Sequence, residues 1–314
     1  MLQQTRVAAV LGYYARFLEA FPTVETLAAA PEQQLMKMWE GLGYYSRARN
    51  LQRAARCIVE RGYFPNSYQS LLELPGVGDY TASAIASAAF GRREAAVDGN
   101  VLRVVARLME NYDDITDPKV KKRVRDAVQA VMPECEQDIR IFNQAMMELG
   151  ATVCVPNGAP KCETCPVAEF CRACSSGTTE RLPVKAAKKS RRKEEKTVLL
   201  LLRQGKVALR RRSDEGLLAG LWEFPNVEGA LDEAAAAAAV EQLYLTARQW
   251  KSKLMAKHIF THVEWHMTGY TLEVTGSGPE ALLWVDEKEL AEYAVPSAFA
   301  RYYEEACAHL KEET

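Results

Sequence analysis

Apolar residues recur at three- and four-residue steps through the first 150 positions, as at Val7, Val10, Leu11, Tyr14 and Leu18, and the same period returns around residues 120–150. That spacing lays an apolar stripe along a helix and predicts an almost entirely helical segment. Breaks fall at Phe21-Pro22, Gly62 to Pro65, Gly76 to Gly78 and Asp114 to Pro118. The first helix is in full stride by Leu2, without a Ser, Thr, Asp or Asn before it to cap its first amides, as in a chain that starts partway through a helix. After Cys174 the period disappears: SSGTTERLPVKAAKKSRRKEEKT is polar and basic and reads as a tether. Beyond it the period becomes two. TVLLLLR and KVALRRR predict strands separated by Gln204-Gly205, and HIFTHVEWHMTGYTLEV alternates over much of its length. Helices are predicted at roughly 231–243 and 297–310, the first carried by the strong helix formers Ala234 to Ala239. The pattern divides the chain into a mainly α domain over 1–176, a basic linker over 177–196 and a smaller α+β domain over 197–314.

Composition changes this picture little. At 314 residues the chain is long enough for two cores, and 40 basic against 41 acidic residues leave a net charge of −1. Nucleic-acid binding would therefore come from local patches. The obvious one is RLPVKAAKKSRRKEEK at 181–196, with eight Lys/Arg against two Glu, which serves equally as a solvated linker. No run approaches the roughly 18 apolar residues of a membrane helix and no secretory leader is seen, so a soluble cytoplasmic protein is expected.

Chemistry enters with the cysteines. Cys57, Cys135 and Cys307 are isolated, whereas five fall between 154 and 174, which in a reducing compartment argues for a metal site over a disulfide framework. Cys154-x7-Cys162-x2-Cys165-x5-Cys171, with Pro166 after one of them, suits a [4Fe–4S] cluster. Zinc held by the two CxxC pairs Cys162, Cys165, Cys171 and Cys174 is the alternative, and spacing leaves the two open. Either role is structural, because four thiolates leave no open coordination position.

Residues 74–103, LPGVGDYTASAIASAAFGRREAAVDGNVLR, are the most informative stretch. The Gly76-Val77-Gly78 turn opens an Ala/Ser-rich helix whose first amides make an anion site suited to a DNA phosphate. Twenty residues past Gly78, Asp98 stands between Val97 and Gly99, where a carboxylate could stabilise positive charge developing on a sugar. The alternative for the pair is an ordinary helix-turn-helix with a capping Asp.

Several long blocks, in one order, resemble the adenine DNA glycosylase family of the helix-hairpin-helix, iron–sulfur DNA glycosylases. They are MLQQTRV at 1–7, WEGLGYYSRARNL at 39–51, LPGVGDYTASAIAS at 74–87, VDGNVLRV at 97–104 and FNQAMMELGATVC at 142–154. GLLAGLWEFP at 216–225 resembles that family's Nudix-type C-terminal domain. The resemblance implies a helix-hairpin-helix glycosylase fold with a Cys-ligated cluster at 154–171, followed by a Nudix-like lesion-recognition domain. It implies a base excision repair hydrolase that cleaves the N-glycosidic bond of adenine mispaired with 8-oxoguanine or guanine in double-stranded DNA. A nucleoid-associated monomer is expected.

The resemblance also distributes roles. Asp98 would stabilise an oxocarbenium-like sugar, as carboxylates do in glycoside hydrolysis, with Tyr80 and Asn100 shaping the pocket. In the endonuclease III branch a lysine stands at the Tyr80 position and attacks the sugar; tyrosine forms no Schiff base, so a monofunctional enzyme is implied. Gly76 and Gly78 would hold the backbone phosphate, Gln4 and Thr5 would contact the strand opposite the extruded adenine, and Tyr44 would wedge beside 8-oxoguanine. Phe260, Thr261 and His262 match the family's lesion-reading Phe-Ser-His loop, with Thr in place of Ser. EGALDEAAAAAAVEQL lacks the Arg-Glu-x-x-Glu-Glu signature of a Nudix hydrolase, so the second domain reads as a reader without phosphohydrolase activity. The family's general acid is a glutamate just ahead of the MLQQT block, a position this sequence does not include. Either the start is miscalled or truncated, or the protein is a binding-only relative; an endonuclease III-like glycosylase/lyase is the third alternative. The first two cysteines are separated by seven residues where the family has six, a small loop insertion.

Overall fold

The computed structural model describes residues 1, 5, 7–187 and 190–312. The uncapped start expected at Leu2 and the contact residue Gln4 lie outside the described residues. In chain order the helices are α1 (Val7–Ala20), α2 (Val24–Ala29), α3 (Glu32–Trp39), α4 (Ser46–Arg61), α5 (Tyr68–Leu72), α6 (Asp79–Phe90), α7 (Gly99–Leu108), α8 (Pro118–Val131), α9 (Glu136–Glu148), α10 (Arg172–Ser175), α11 (Glu233–Glu241), α12 (Glu287–Leu290) and α13 (Ala300–Glu312). The strands are β1 (Arg192–Arg203), β2 (Lys206–Arg211), β3 (Trp222–Glu223), β4 (Asn226–Glu228), β5 (Thr246–Ile259), β6 (Val263–Thr275) and β7 (Leu282–Val285). All four predicted breaks in the helical half separate helices. Two compact units form, one from residues 53–188 and one from 1–52 with 189–314. No helix among the described residues is long and apolar enough to cross a membrane.

The 53–188 unit is helical. Its core joins Val101, Leu102 and Ala106 of α7 to Val120, Val124 and Val128 of α8 and Ile139 of α9. Helix ends are set locally: Ser67 and Ser70 form a capping box on α5, Asp117 caps α8 with Pro118 at its first position, and Gly91 closes α6 in the left-handed region at φ 63°. The Ala/Ser composition of α6 has a packing reason. Ala82, Ser83, Ala86 and Ser87 are buried, and small side chains let α6 lie close to α5 and α9.

In the second unit a seven-stranded sheet runs β3-β2-β1-β6-β5, with β4 paired to β1 and β7 to β2. β1 and β6 are parallel, Arg192 opposite Val263 through Leu202 opposite Glu273. The Leu199–Leu202 run is buried on both faces, as a strand covered on both sides should be. Even positions of β1 (Val198, Leu200, Leu202) join Phe299, Tyr302 and Leu310 near and along α13; odd positions (Leu199, Leu201) join Ala236 and Val240 of α11. An added Cβ at Gly269 would stand 2.1 Å from the Tyr302 ring, so glycine lets α13 seat on β6. The N-terminal helices pack through Phe17, which meets Phe21 at 5.0 Å and Trp39 at 6.0 Å between ring centres.

The structure departs from the sequence pattern in three places. The alternating stretch HIFTHVEWHMTGYTLEV is interrupted, comprising the end of β5, a tight turn and β6. Of the α1 stripe, Val10 is buried while Leu11, Tyr14 and Leu18 stay exposed. Finally, the segment expected as a structureless linker over 177–196 is ordered at both ends. Leu182 is buried against Cys171 and Ala173, and β1 already starts at Arg192. Hydrophobic periodicity could not show this early start, because the inward positions there are Glu194 and Lys196, whose faces turn on Trp265 rather than on an apolar core.

Candidate active site

The hairpin of the helical unit runs from α5 through Leu74–Gly78 into α6. Gly76 sits at φ 76°, a conformation L side chains rarely adopt, and the Val77 amide donates to the Leu74 carbonyl at 3.1 Å. Gly78 is the N-cap of α6 in extended backbone, brings no side chain to the helix's first amides, and has open space where a Cβ would be. Beside it Asp79 accepts from the Tyr68 hydroxyl at 2.6 Å, and Arg125 donates to that same hydroxyl at 3.0 Å while lying over the Tyr68 ring. This set pins α5 to α6 and fixes the hairpin.

Asp98 is the N-cap of α7. Its Oδ1 accepts from the Asn100 and Val101 amides, each at 2.8 Å, and its Oδ2 accepts from Asn100 Nδ2 at 2.8 Å. The capping and the charge-bearing alternatives thus fall on one carboxylate, and they do not compete: two amides hold Oδ1 while Oδ2 keeps acceptor capacity. Tyr80, half-buried at the second position of the hairpin helix, donates to Met147 Sδ at 3.2 Å. Burial first, and then the Asp98 charge, push its hydroxyl above the usual phenol range, so the ring stays neutral beside the carboxylate. The structure therefore brings Tyr80, Asp98 and Asn100 together, with Gly76 and Gly78 in the same unit.

Two residues that sequence reasoning missed hold this arrangement. Arg103 is buried and donates to Asn100 Oδ1 at 2.9 Å, to the Gly150 carbonyl at 2.7 Å and to the Cys154 carbonyl at 2.7 Å. Burial lowers its pKa from the ordinary arginine value. One turn on, Arg107 donates to Cys154 Sγ at 3.2 Å, the Val155 carbonyl at 3.1 Å and the Leu182 carbonyl at 3.0 Å. Asn100 is thus clamped between Asp98 and Arg103, and the same helix face reaches the cysteine loop. Gly150 is needed here, since a Cβ on it would stand 2.5 Å from Asn100 Cβ. The signal available in the sequence was a pair of arginines four residues apart on the apolar face of VLRVVARL.

Cys154, Cys162, Cys165, Cys171 and Cys174 line one cavity of about 30 Å³ with Arg107. Burial, and then the neighbouring Cys174, Cys171 and Cys165, push the Cys162 thiol up to about 11. Among the described residues no group of three or more His, Cys, Asp or Glu is placed to hold a metal ion. Five sulfur donors around one cavity, with the Arg107 guanidinium beside them, are the donor chemistry a thiolate-ligated group requires.

The other unit carries the expected lesion contacts. Tyr44 adopts φ 48°, between Gly43 at φ 67° and Tyr45, with its ring half exposed. A bulky residue held in the left-handed region marks a place where local strain is tolerated. Its hydroxyl is 2.8 Å from Thr261 Oγ1, and the Arg47 guanidinium lies 5.5 Å over its ring while donating to Thr5 Oγ1 at 3.4 Å. Phe260 anchors the β5–β6 turn through edge contacts with His258 (4.6 Å) and Trp265 (4.8 Å), which leaves Thr261 at the tip. His262 lies next to β6, its carbonyl bonded to the Arg192 amide at 3.1 Å. Thr5, Tyr44 and Thr261, far apart in sequence, form one connected set.

Comparison with known proteins agrees with both halves. Residues 1–130 match the HhH-GPD superfamily of base excision DNA repair proteins and residues 197–305 match the NUDIX domain. The adenine DNA glycosylase of Homo sapiens is 34% identical over 366 residues, covering 96% of this chain and 66% of the human protein. That of Rattus norvegicus is 34% identical, covering 97% of this chain and 70% of the rat protein. A thermostable thymine-DNA glycosylase structure aligns over 56% of this chain and 80% of its own, at 28% identity and a TM-score of 0.49. The chain spans about two thirds of the length of these mammalian relatives. Architecture, site and similarity converge: the chain belongs to the adenine DNA glycosylase family, base excision repair proteins that join a helix-hairpin-helix glycosylase domain to a NUDIX domain.

Proposed function

We propose that this protein is a monofunctional glycosylase that hydrolyses the N-glycosidic bond of adenine mispaired with 8-oxoguanine, or with guanine, in double-stranded DNA. The observation that carries this is Asp98, a carboxylate fixed by two α7 amides and by Asn100, next to a neutral tyrosine where a lyase would need a lysine. As the adenine bond breaks, positive charge grows on the sugar, and a carboxylate that need not reorganise stabilises it. Water then supplies the hydroxyl that the sugar carbon gains and, on balance, the proton that the departing adenine takes up. The first amides of α6 position a phosphate of the extruded strand, while Tyr44 and the Phe260-Thr261-His262 turn read the opposite base. No proton donor is assigned among three glutamates of the helical segment, since Glu40 accepts from the Val295 amide, Glu73 pairs with Arg61 and Glu148 accepts from Gln144.

Cys154, Cys162, Cys165 and Cys171 would hold a [4Fe–4S] cluster. With the cluster bound, these four cysteines would tie their loop together against the Arg103–Arg107 face of α7. Zinc on Cys162, Cys165, Cys171 and Cys174 is the alternative, and Arg107 bonding Cys154 Sγ favours the set that includes Cys154.

The reaction type is tested by the product. On a duplex with one A:8-oxoguanine pair, the expected product is an abasic site whose strand breaks only on alkali treatment. A borohydride-trappable protein–DNA adduct with spontaneous strand breakage would instead establish a lyase, and lesion-selective binding without excision would establish a binding-only protein.

A further inference from the structure

The face of the sheet that α13 covers changes character along β1. Val198, Leu200 and Leu202 lie in the core, whereas the preceding positions of the same alternation, Arg192, Glu194 and Lys196, line a cleft of about 370 Å³. That volume lies within the roughly 300–1,000 Å³ range of ligand sites. His262 of the lesion-reading turn lines the cleft, and Arg212 lies in its wall.

The cleft presents charge more than ring faces, its one ring beyond the covered Trp265 being the His262 imidazole. Trp265 is 1% exposed, and its indole lies under Lys196 Nζ at 4.9 Å and the Arg212 guanidinium at 5.7 Å. A nucleobase would find only the His262 imidazole to stack on, whereas an anion would find Arg192, Lys196 and Arg212. Among those cations Arg212 is spoken for by Glu223, a carboxylate 2% exposed. Lys196 is different. Its side chain is only 8% exposed, yet its nearer partner, Glu228 at 3.4 Å, belongs to a side chain 89% exposed that can swing into water. Glu194 stands at 3.9 Å and is anchored elsewhere, by the Trp265 indole N–H at 2.8 Å and by Arg192. A fixed, largely dehydrated ammonium with a displaceable counter-ion is a favourable arrangement for exchanging a carboxylate for a phosphate.

We propose that this cleft binds a phosphate group, supplied by the DNA backbone next to the lesion-reading turn, with Lys196 as its central cation and Arg192 at its rim. This rests on the reading of the protein as a DNA glycosylase, and it adds a backbone-anchoring site on the NUDIX unit. Phosphate contacts set register and orientation without carrying sequence, so the site would hold the turn against the lesion without choosing it.

The test is the affinity of the full chain for an undamaged duplex as a function of salt, alongside direct binding of deoxyguanosine monophosphate and inorganic phosphate followed by tryptophan fluorescence. Each phosphate contact contributes a slope of about −0.9 in log K against log salt. Lys196→Gln should shallow the slope by about that amount, and Glu228→Gln should tighten binding at low salt. Loss of a purely structural lysine would lower thermal stability and leave the slope unchanged. Should Lys196→Gln fail to fold, Arg192→Ala, at a side chain 78% exposed, carries the same comparison. If the slope is unchanged but the wild type binds the monophosphate and Lys196→Gln does not, the phosphate site stands and a free nucleotide is its source. A wild type that binds the monophosphate but no duplex at any salt would keep the site and remove the DNA reading. Unchanged slopes with no monophosphate or phosphate binding would overturn the site.

Discussion

At Asp98 the carboxylate that caps α7 is also the one proposed to stabilise the sugar, and substitution can separate the two roles. Asparagine caps a helix about as well as aspartate, so Asp98→Asn should lower stability by less than about 1 kcal/mol, whereas Asp98→Ala should cost about 1–2 kcal/mol in thermal or urea unfolding. An Asn variant as unstable as the Ala variant would show that the negative charge itself holds the helix. Tyr44 and Thr261 make a second residue-scale case. Tyr44→Phe keeps the ring and removes the bond to Thr261 Oγ1, worth about 0.5–1.5 kcal/mol. Competition binding should show the preference for 8-oxoguanine over guanine reduced by severalfold, with binding to undamaged duplex unchanged; an equal loss on both would reassign the tyrosine to general DNA contact. Asp98 was legible from its place twenty residues past Gly78, and Tyr80 and Tyr44 only through the resemblance of their blocks to the glycosylase family. Their partnerships were not, since Met147 and Thr261 lie 67 and 217 residues away from the tyrosines they bond.

Among the elements, α7 links the proposed chemistry to the cysteine loop. Its apolar stripe was readable, but an arginine on a helix ordinarily signals solvent, so the buried Arg103 and Arg107 were not. Arg103 satisfies the Gly150 and Cys154 carbonyls at once, and each buried carbonyl left without a donor costs about 1–3 kcal/mol. Arg103→Met should therefore destabilise the protein by several kcal/mol, and Arg103→Lys should recover only part of that, because an ammonium lacks the planar fork. Full rescue by lysine would mean that charge alone matters. β1 shows the complementary limit: its leucines announced a strand, while its charged first half read as linker because alternation of Arg192, Glu194 and Lys196 leaves no hydrophobic signature.

The whole molecule should lose stability in alkali. Burial pushes Tyr45 up to about 12 and raises Tyr80 and Tyr302 above the usual phenol range. Between pH 10 and 12 the unfolded chain sheds protons that the folded chain keeps, so unfolding free energy falls as pH rises through that window. Thermal unfolding at pH 8, 10 and 11 should show a progressive drop; a flat profile would mean that these hydroxyls gain solvent. Iron and sulfide assays on anaerobically purified protein should find both, retained in Cys174→Ser; stoichiometric zinc without iron would transfer the site to the CxxC pairs. The decisive measurement is single-turnover excision of adenine opposite 8-oxoguanine by wild type and Asp98→Asn, each shown to be folded and bound to the duplex. A wild type that releases adenine and an Asn variant slower by at least about 100-fold, the scale of losing one preorganised electrostatic contact to a transition state, is the predicted result. Equal rates, or excision by neither protein, would contradict the assignment.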